Sequence, residues 1–185
     1  MRSVPMKLAD KPGKRGVTLI EVLAVVTIMG ILSGIGVASL RSAIMNSRIK
    51  DAGINVTAFM ERAANEATRL GTKLCLVASG QTMTLYKDEC GDTYGDKVAE
   101  FKLESLNTFV TTNNNVNCPE LPSDKNTPAD KLTLTPKVGV SPIPAGCFLI
   151  HYGNSDRYAS SVKLSTKYGV YYKLSYDSGS SWFEP

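Results

Sequence analysis

The uncharged run from Val22 to Leu40, closed by Arg41, constrains this 185-residue chain more than any other feature. At about 1.5 Å rise per residue, an apolar helix of that length just crosses a hydrocarbon layer of roughly 30 Å. One membrane-spanning helix is therefore expected. Residues 1–16 hold Arg2, Lys7, Lys11, Lys14 and Arg15 against Asp10 alone. Such a basic flank stays cytoplasmic, so the C-terminal bulk is expected to be exported across the membrane. A cleaved secretory signal is the competing reading. It fits poorly, because the run exceeds the roughly 7 to 15 apolar residues of such signals and no small-x-small site in good context follows Leu40.

The formal charge of +4 belongs to those first sixteen residues, and the rest of the chain is neutral. A neutral body lacks the bulk field of a nucleic-acid binder, which argues against DNA or RNA as a partner.

Glu21 stands at the edge of the apolar run, where a carboxylate calls for a partner. The string Lys14-Arg15-Gly16-Val17-Thr18-Leu19-Ile20-Glu21-Val22 resembles the processing site of type IV pilins and type II secretion pseudopilins. The resemblance implies that prepilin peptidase cuts between Gly16 and Val17, that the new amine is N-methylated, and that Glu21 is the glutamate at the fifth mature position. The residue after the cut is usually Phe in that family, and here it is Val17. If cleavage leaves a cationic amine in the apolar layer, Glu21 of one subunit can pair with Val17 of another and fix their register. A glutamate snorkelling at the interface is the plainer alternative.

Beyond Arg41, Ala52, Val56, Phe59, Ala63, Ala67 and Leu70 recur at helical spacing. One helix from 17 to 70 is expected, roughly 80 Å long, with Gly71 at its left-handed end. Gly30, Gly34 and Gly36 within the span serve either close helix approach or simply as common membrane-helix residues. From residue 72 the period becomes two. Strands are expected at Leu74–Val77 and Thr82–Tyr86, joined as a hairpin through Ser79-Gly80, and at Val98–Leu103, Leu132–Leu134, Cys147–Tyr152, Val162–Leu164 and Val170–Tyr176. Residues 107–130 read as a long polar insertion. The fold class is α+β: a long N-terminal helix packed on a mostly antiparallel sheet. Its expected divisions are a leader over 1–16, a membrane and polymerisation helix over 17–40, an amphipathic half over 41–71 and a β-rich domain over 72–185.

Residues 63–76 look like the helix end and first strand of the GspH/FimT/FimU group of pseudopilins and minor pilins. Val162-Lys163-Leu164-Ser165 with Tyr168-Gly169-Val170-Tyr171 is similar to that group's last hairpin. The resemblance implies a filament subunit whose partners are other pilins or pseudopilins, held in a bacterial inner membrane with its C-terminal domain periplasmic. A DNA-uptake relative would carry Gly-Arg-x-Arg, whereas Gly169 is followed by Val170-Tyr171-Tyr172. Tyr168, Tyr171, Tyr172, Tyr176 and Trp182 offer an alternative role as an adhesive or ligand-binding face displayed on a filament, with half of them expected in the core.

Cys75, Cys90, Cys118 and Cys147 lie in the exported part, where an even count points to disulfides. Three pairings are possible; locality favours Cys75 with Cys90 and Cys118 with Cys147. No catalytic constellation accompanies the one histidine, His151, which reads as a strand residue facing away from Phe148, Ile150 and Tyr152. Asp88, Glu89, Asp92 and Asp96 read as solvated loop charges rather than a calcium site. Neither an enzyme nor a cofactor or metal site is expected.

Overall fold

The computed structural model describes residues 16–104, 106–110, 116–119, 128–136, 139–140, 147–162 and 171–184. The leader residues 1–15, the Asn113–Asn115 run and the whole stretch 163–170 therefore lie outside the described residues. The chain divides into two compact units, Met1–Arg41 and Ser42–Pro185.

Helix α1 runs over Leu19–Leu70. Every residue from Gly16 to Arg41 is exposed, and an 18-residue window of the helix has a mean hydropathy of 2.2, long and apolar enough to cross a membrane. Polar atoms in such a stretch need partners within the chain. Thr27 meets that need by donating its hydroxyl to the Leu23 carbonyl at 2.8 Å.

In the second unit the helix buries Ile49, Ala52, Gly53, Val56, Met60, Ala63, Ala64 and Ala67. The expected stripe gains Met60 and loses Leu70, while Phe59 still packs against the core. Met60 is fully buried, whereas Phe59 sits at the flank with its ring 5.6 Å from that of Phe101. Leu70, the last helical residue, is exposed. The stripe is rich in small residues because the helix lies close on the sheet: a Cβ on Gly53 would come within 3.0 Å of the Tyr172 ring and 3.3 Å of the Ala159 methyl. Gly71 ends the helix with φ +66°, the left-handed conformation in which a residue with a Cβ is strained.

Nine strands follow among the described residues: β1 Leu74–Ser79, β2 Thr82–Lys87, β3 Lys97–Lys102, β4 Asn107–Val110, β5 Lys131–Thr135, β6 Gly139–Val140, β7 Phe148–Tyr152, β8 Tyr158–Val162 and β9 Tyr171–Ser175. They form two antiparallel sheets, ordered β3-β2-β1-β5-β6 and β4-β7-β8-β9. The α+β class holds, with one sheet become two. The expected β1–β2 hairpin pairs Ser79 with Thr82.

Two sequence expectations are corrected. The segment 107–130 is no mere polar insertion, since it opens with β4 and buries Val116 and Cys118. Asn107-Thr108-Phe109-Val110 is too short and half-polar to show a period of two, and Asn107 is itself buried, its side chain donating to the Glu104 carbonyl at 2.9 Å. The strand expected at Val162–Leu164 begins earlier, at Tyr158. Its Ala159-Ser160-Ser161 core looks polar, yet both serines are buried, and the hydroxyls of Ser161 and Thr57 lie 3.3 Å apart.

The main core gathers the helix stripe with Leu74, Leu76 and Ala78 of β1, Met83 and Leu85 of β2, Leu132 and Leu134 of β5, and Phe109, Phe148, Ile150, Ala159 and Leu174 of the second sheet. A smaller cluster covers the other face of the second sheet: Val110, Val116, Cys118, Cys147, Leu149 and Tyr158, with Trp182 packed against it.

Candidate processing and assembly site

Gly16 and Val17 precede the helix and are exposed, Val17 at 73%. Their peptide bond lies ahead of the first helical hydrogen bonds, which the Glu21 and Val22 amides donate to the Thr18 carbonyl. A peptidase that binds its substrate extended would not have to unwind a turn to reach it.

Thr18 caps the helix. The Glu21 amide donates to the Thr18 hydroxyl at 3.4 Å. In return, the Thr18 amide and hydroxyl donate to Glu21 Oε2 at 2.9 and 3.0 Å. Reciprocal bonding between Thr and a Glu three residues on is a capping box. The Thr-x-x-Glu spacing is present in the sequence, and it gives Glu21 a role that neither pairing across subunits nor snorkelling supplies. Both bonds go to Oε2, so the carboxylate serves its own helix while Oε1 has no partner among the described residues.

Residues 11–37 match the family model described as the prokaryotic N-terminal methylation motif. That motif belongs to type IV pilin-like prepilins, and it spans Gly16, Val17 and Glu21 together with most of the apolar run. The N-terminal region is thus of the kind that prepilin peptidase processes and that anchors a subunit in a membrane for assembly with other pilins. No curated protein and no solved structure matches the chain.

A Cβ at Gly30, Gly34 or Gly36 would meet nothing within 4 Å. Any close approach these glycines serve needs a second helix from elsewhere.

The β-domain is stapled once on each sheet. Cys75 of β1 is bonded to Cys90, and Cys118 to Cys147. These are the pairs that locality favours. Cys75 alternates with the core residues Leu74 and Leu76, so the first bond closes the outer face of the first sheet. The Cys90 amide there donates to the Thr133 hydroxyl of β5 at 3.3 Å. The second bond lies in the smaller cluster, on the outer face of the second sheet.

His151 occupies the β7 face that carries Leu149. It stacks on Tyr158 at 4.7 Å, and its Nε2 donates to the Ser155 carbonyl. Among the described residues, no group of three or more His, Cys, Asp or Glu side chains could hold a metal ion. Glu89 pairs with Lys73 at 2.7 Å. Of the aromatic set proposed as a binding face, Tyr172 and Tyr176 pack against the main core and Trp182 against the smaller one.

Proposed function

We propose that this protein is a structural subunit, a minor pilin or pseudopilin, of a type IV pilus or type II secretion pseudopilus. Prepilin peptidase cuts it between Gly16 and Val17, the new amine is methylated, and the mature chain enters the filament through residues 17–40 with its β-domain on the periplasmic side. The single observation that carries this reading is the methylation motif over residues 11–37, which takes in most of an exposed apolar helical run. In assembly, the amine of Val17 meets Glu21 of a neighbouring subunit through Oε1, while Oε2 keeps the neighbour's own helix capped. Two charges that are each costly in an apolar layer then neutralise one another. The role is non-catalytic, and the GspH/FimT/FimU group is the relative we favour.

Intact-mass measurement on membrane-extracted protein from cells with an active prepilin peptidase tests the reading. The expected species starts at Val17 and carries one added methyl group. Protein that retains residues 1–16 under those conditions removes the support for a filament role.

A further inference from the structure

We infer that the end of the β-domain beside Ser42–Asn46 is a lipid-contacting footing, seated in the headgroup layer of the bilayer from which α1 emerges. The inference rests on the membrane-anchored reading above.

The headgroup region adds roughly 5 to 7 Å to each side of the hydrocarbon core, or about four to five residues of helix. The apolar run ends at Leu40, so residues 42–46 occupy that layer, and whatever flanks them in the same compact unit lies at headgroup depth. Two loops flank them. Arg157, at the start of β8, donates from Nε to Asn46 Oδ1 at 2.9 Å and from Nη2 to the Ser42 hydroxyl at 3.1 Å. The turn between β3 and β4 is tied to the same place, because the Gly153 amide donates to the Leu106 carbonyl at 2.9 Å.

The surface these loops build suits that layer. Leu106 is 61% exposed at the tip of its turn, and Ile44 is 46% exposed on the helix. Leu106, Met45, Tyr152, Arg157 and the Asp156 carboxylate are among the groups lining an open cleft of about 420 Å³. An apolar tip, a half-buried tyrosine and a guanidinium together are the combination that bilayer interfaces favour. Arg157 makes no ion pair among the described residues: its third bond goes to the Tyr176 carbonyl at 3.3 Å, and its neighbour Asp156 accepts from the Ser178 hydroxyl at 2.8 Å. A phosphate at that depth meets a cation held in place by neutral groups. The occupant is therefore phospholipid, with Leu106 at the boundary of acyl chain and glycerol and Arg157 at the phosphate.

The test uses the full chain in vesicles of phosphatidylethanolamine and phosphatidylglycerol, with Trp182→Phe removing the native indole. Single reporters are then introduced one at a time by Leu106→Trp, by Ile28→Trp within the span, and by Tyr94→Trp in the loop between β2 and β3, which leaves the sheet near the helix end at Leu70. All three positions are exposed, so the fold should tolerate them. Lipids brominated near the headgroup end of the acyl chain are expected to quench the reporter at 106 and leave that at 94 bright, while deeply brominated lipids quench the reporter at 28. Quenching at 28 with emission at 106 no different from that at 94 overturns the footing and leaves the span intact. Absence of quenching at 28 as well overturns the membrane reading, and the footing with it.

Discussion

The two halves of α1 share one backbone and differ in what covers them. Over Val22–Leu40 every side chain is exposed, and the exposed set is almost entirely Val, Leu, Ile, Met, Ala and Gly. Over Ile49–Ala67 a stripe of the same kinds of residue is buried against two sheets, while Asp51, Glu61 and Arg62 face outward. The first half carries its apolar surface all round and leaves it for lipid or other helices; the second confines it to one face and satisfies it within the chain. A helix that is apolar on every side is stable only where its surroundings are apolar too. The division at Arg41 is therefore a change of solvent.

The largest expected effect lies in the first half. Glu21→Ala removes both the charge and the cap and is expected to abolish filament incorporation, with the β-domain still folded. Glu21→Gln separates the two roles, because a glutamine at the same position completes a capping box without the charge. Loss of incorporation in both variants assigns the role to the charge. Normal incorporation of the Gln variant, read from sheared filament fractions, would reduce Glu21 to a helix cap.

A matched pair of methionines sharpens the contrast. Met60 is fully buried in the main core, whereas Met29 is 63% exposed in the span. Met60→Ala is expected to cost about 2 to 5 kcal/mol of domain stability. Met29→Ala should leave the unfolding of that domain unchanged. Denaturant unfolding of a soluble fragment from Ser42 onward gives the first value, and thermal unfolding of the full chain in detergent checks the second. Equal effects would mean that the span is covered by protein after all.

The staples come next. Cys75–Cys90 closes a sequence separation of 15 and Cys118–Cys147 one of 29. Chain-entropy arithmetic then gives about 3 and about 3.6 kcal/mol for the two bonds. Paired Cys→Ser replacements should each lower the unfolding midpoint, the second more than the first, while membrane insertion of the first half continues unaltered. Thiol titration of denatured, unreduced protein should find no free thiol.

What the sequence made legible follows the strength of each local signal. The span, the helix stripe, the β1–β2 hairpin and the four cysteines all carry period, composition or chemistry within a short window. β4 and β6 did not, because four residues with a polar start and two residues flanking a turn cannot display alternation. The shift of β8 has a different cause. Ser160 and Ser161 are buried by the elements that pack over them, and no local pattern announces a buried serine. At the N-terminus Thr18 and Glu21 stand at capping-box spacing in the sequence itself, a signal that the cost of a carboxylate in lipid does not reveal.

Two carboxylates bring the contrast to its finest grain. Glu21 accepts from the amide and hydroxyl of Thr18 beside the apolar run. Asp177, in the turn after β9, accepts from the Ser181 amide at 2.9 Å and the Ser175 hydroxyl at 2.7 Å in open water. The donor sets match and the solvents differ. Hydrogen bonds from the Ser181 hydroxyl and amide, and then from Ser175, hold Asp177 below its ordinary value of 3.8, at about 2. A carboxylate depressed in the folded state adds stability above the ordinary carboxylate range, and that stability is lost as pH falls through the folded value. The loss contributed by Asp177 should therefore fall between about pH 4 and pH 2. Asp177→Asn keeps an oxygen acceptor and removes the titration, so the variant should unfold with a flatter pH dependence in that window and match the parent chain's dependence above it. An unchanged acid arm would mean that the turn opens in solution and that its hydrogen bonds do not bias the proton. The effect is expected to be the smallest of those described, since the group is fully solvated and its bonds compete with water.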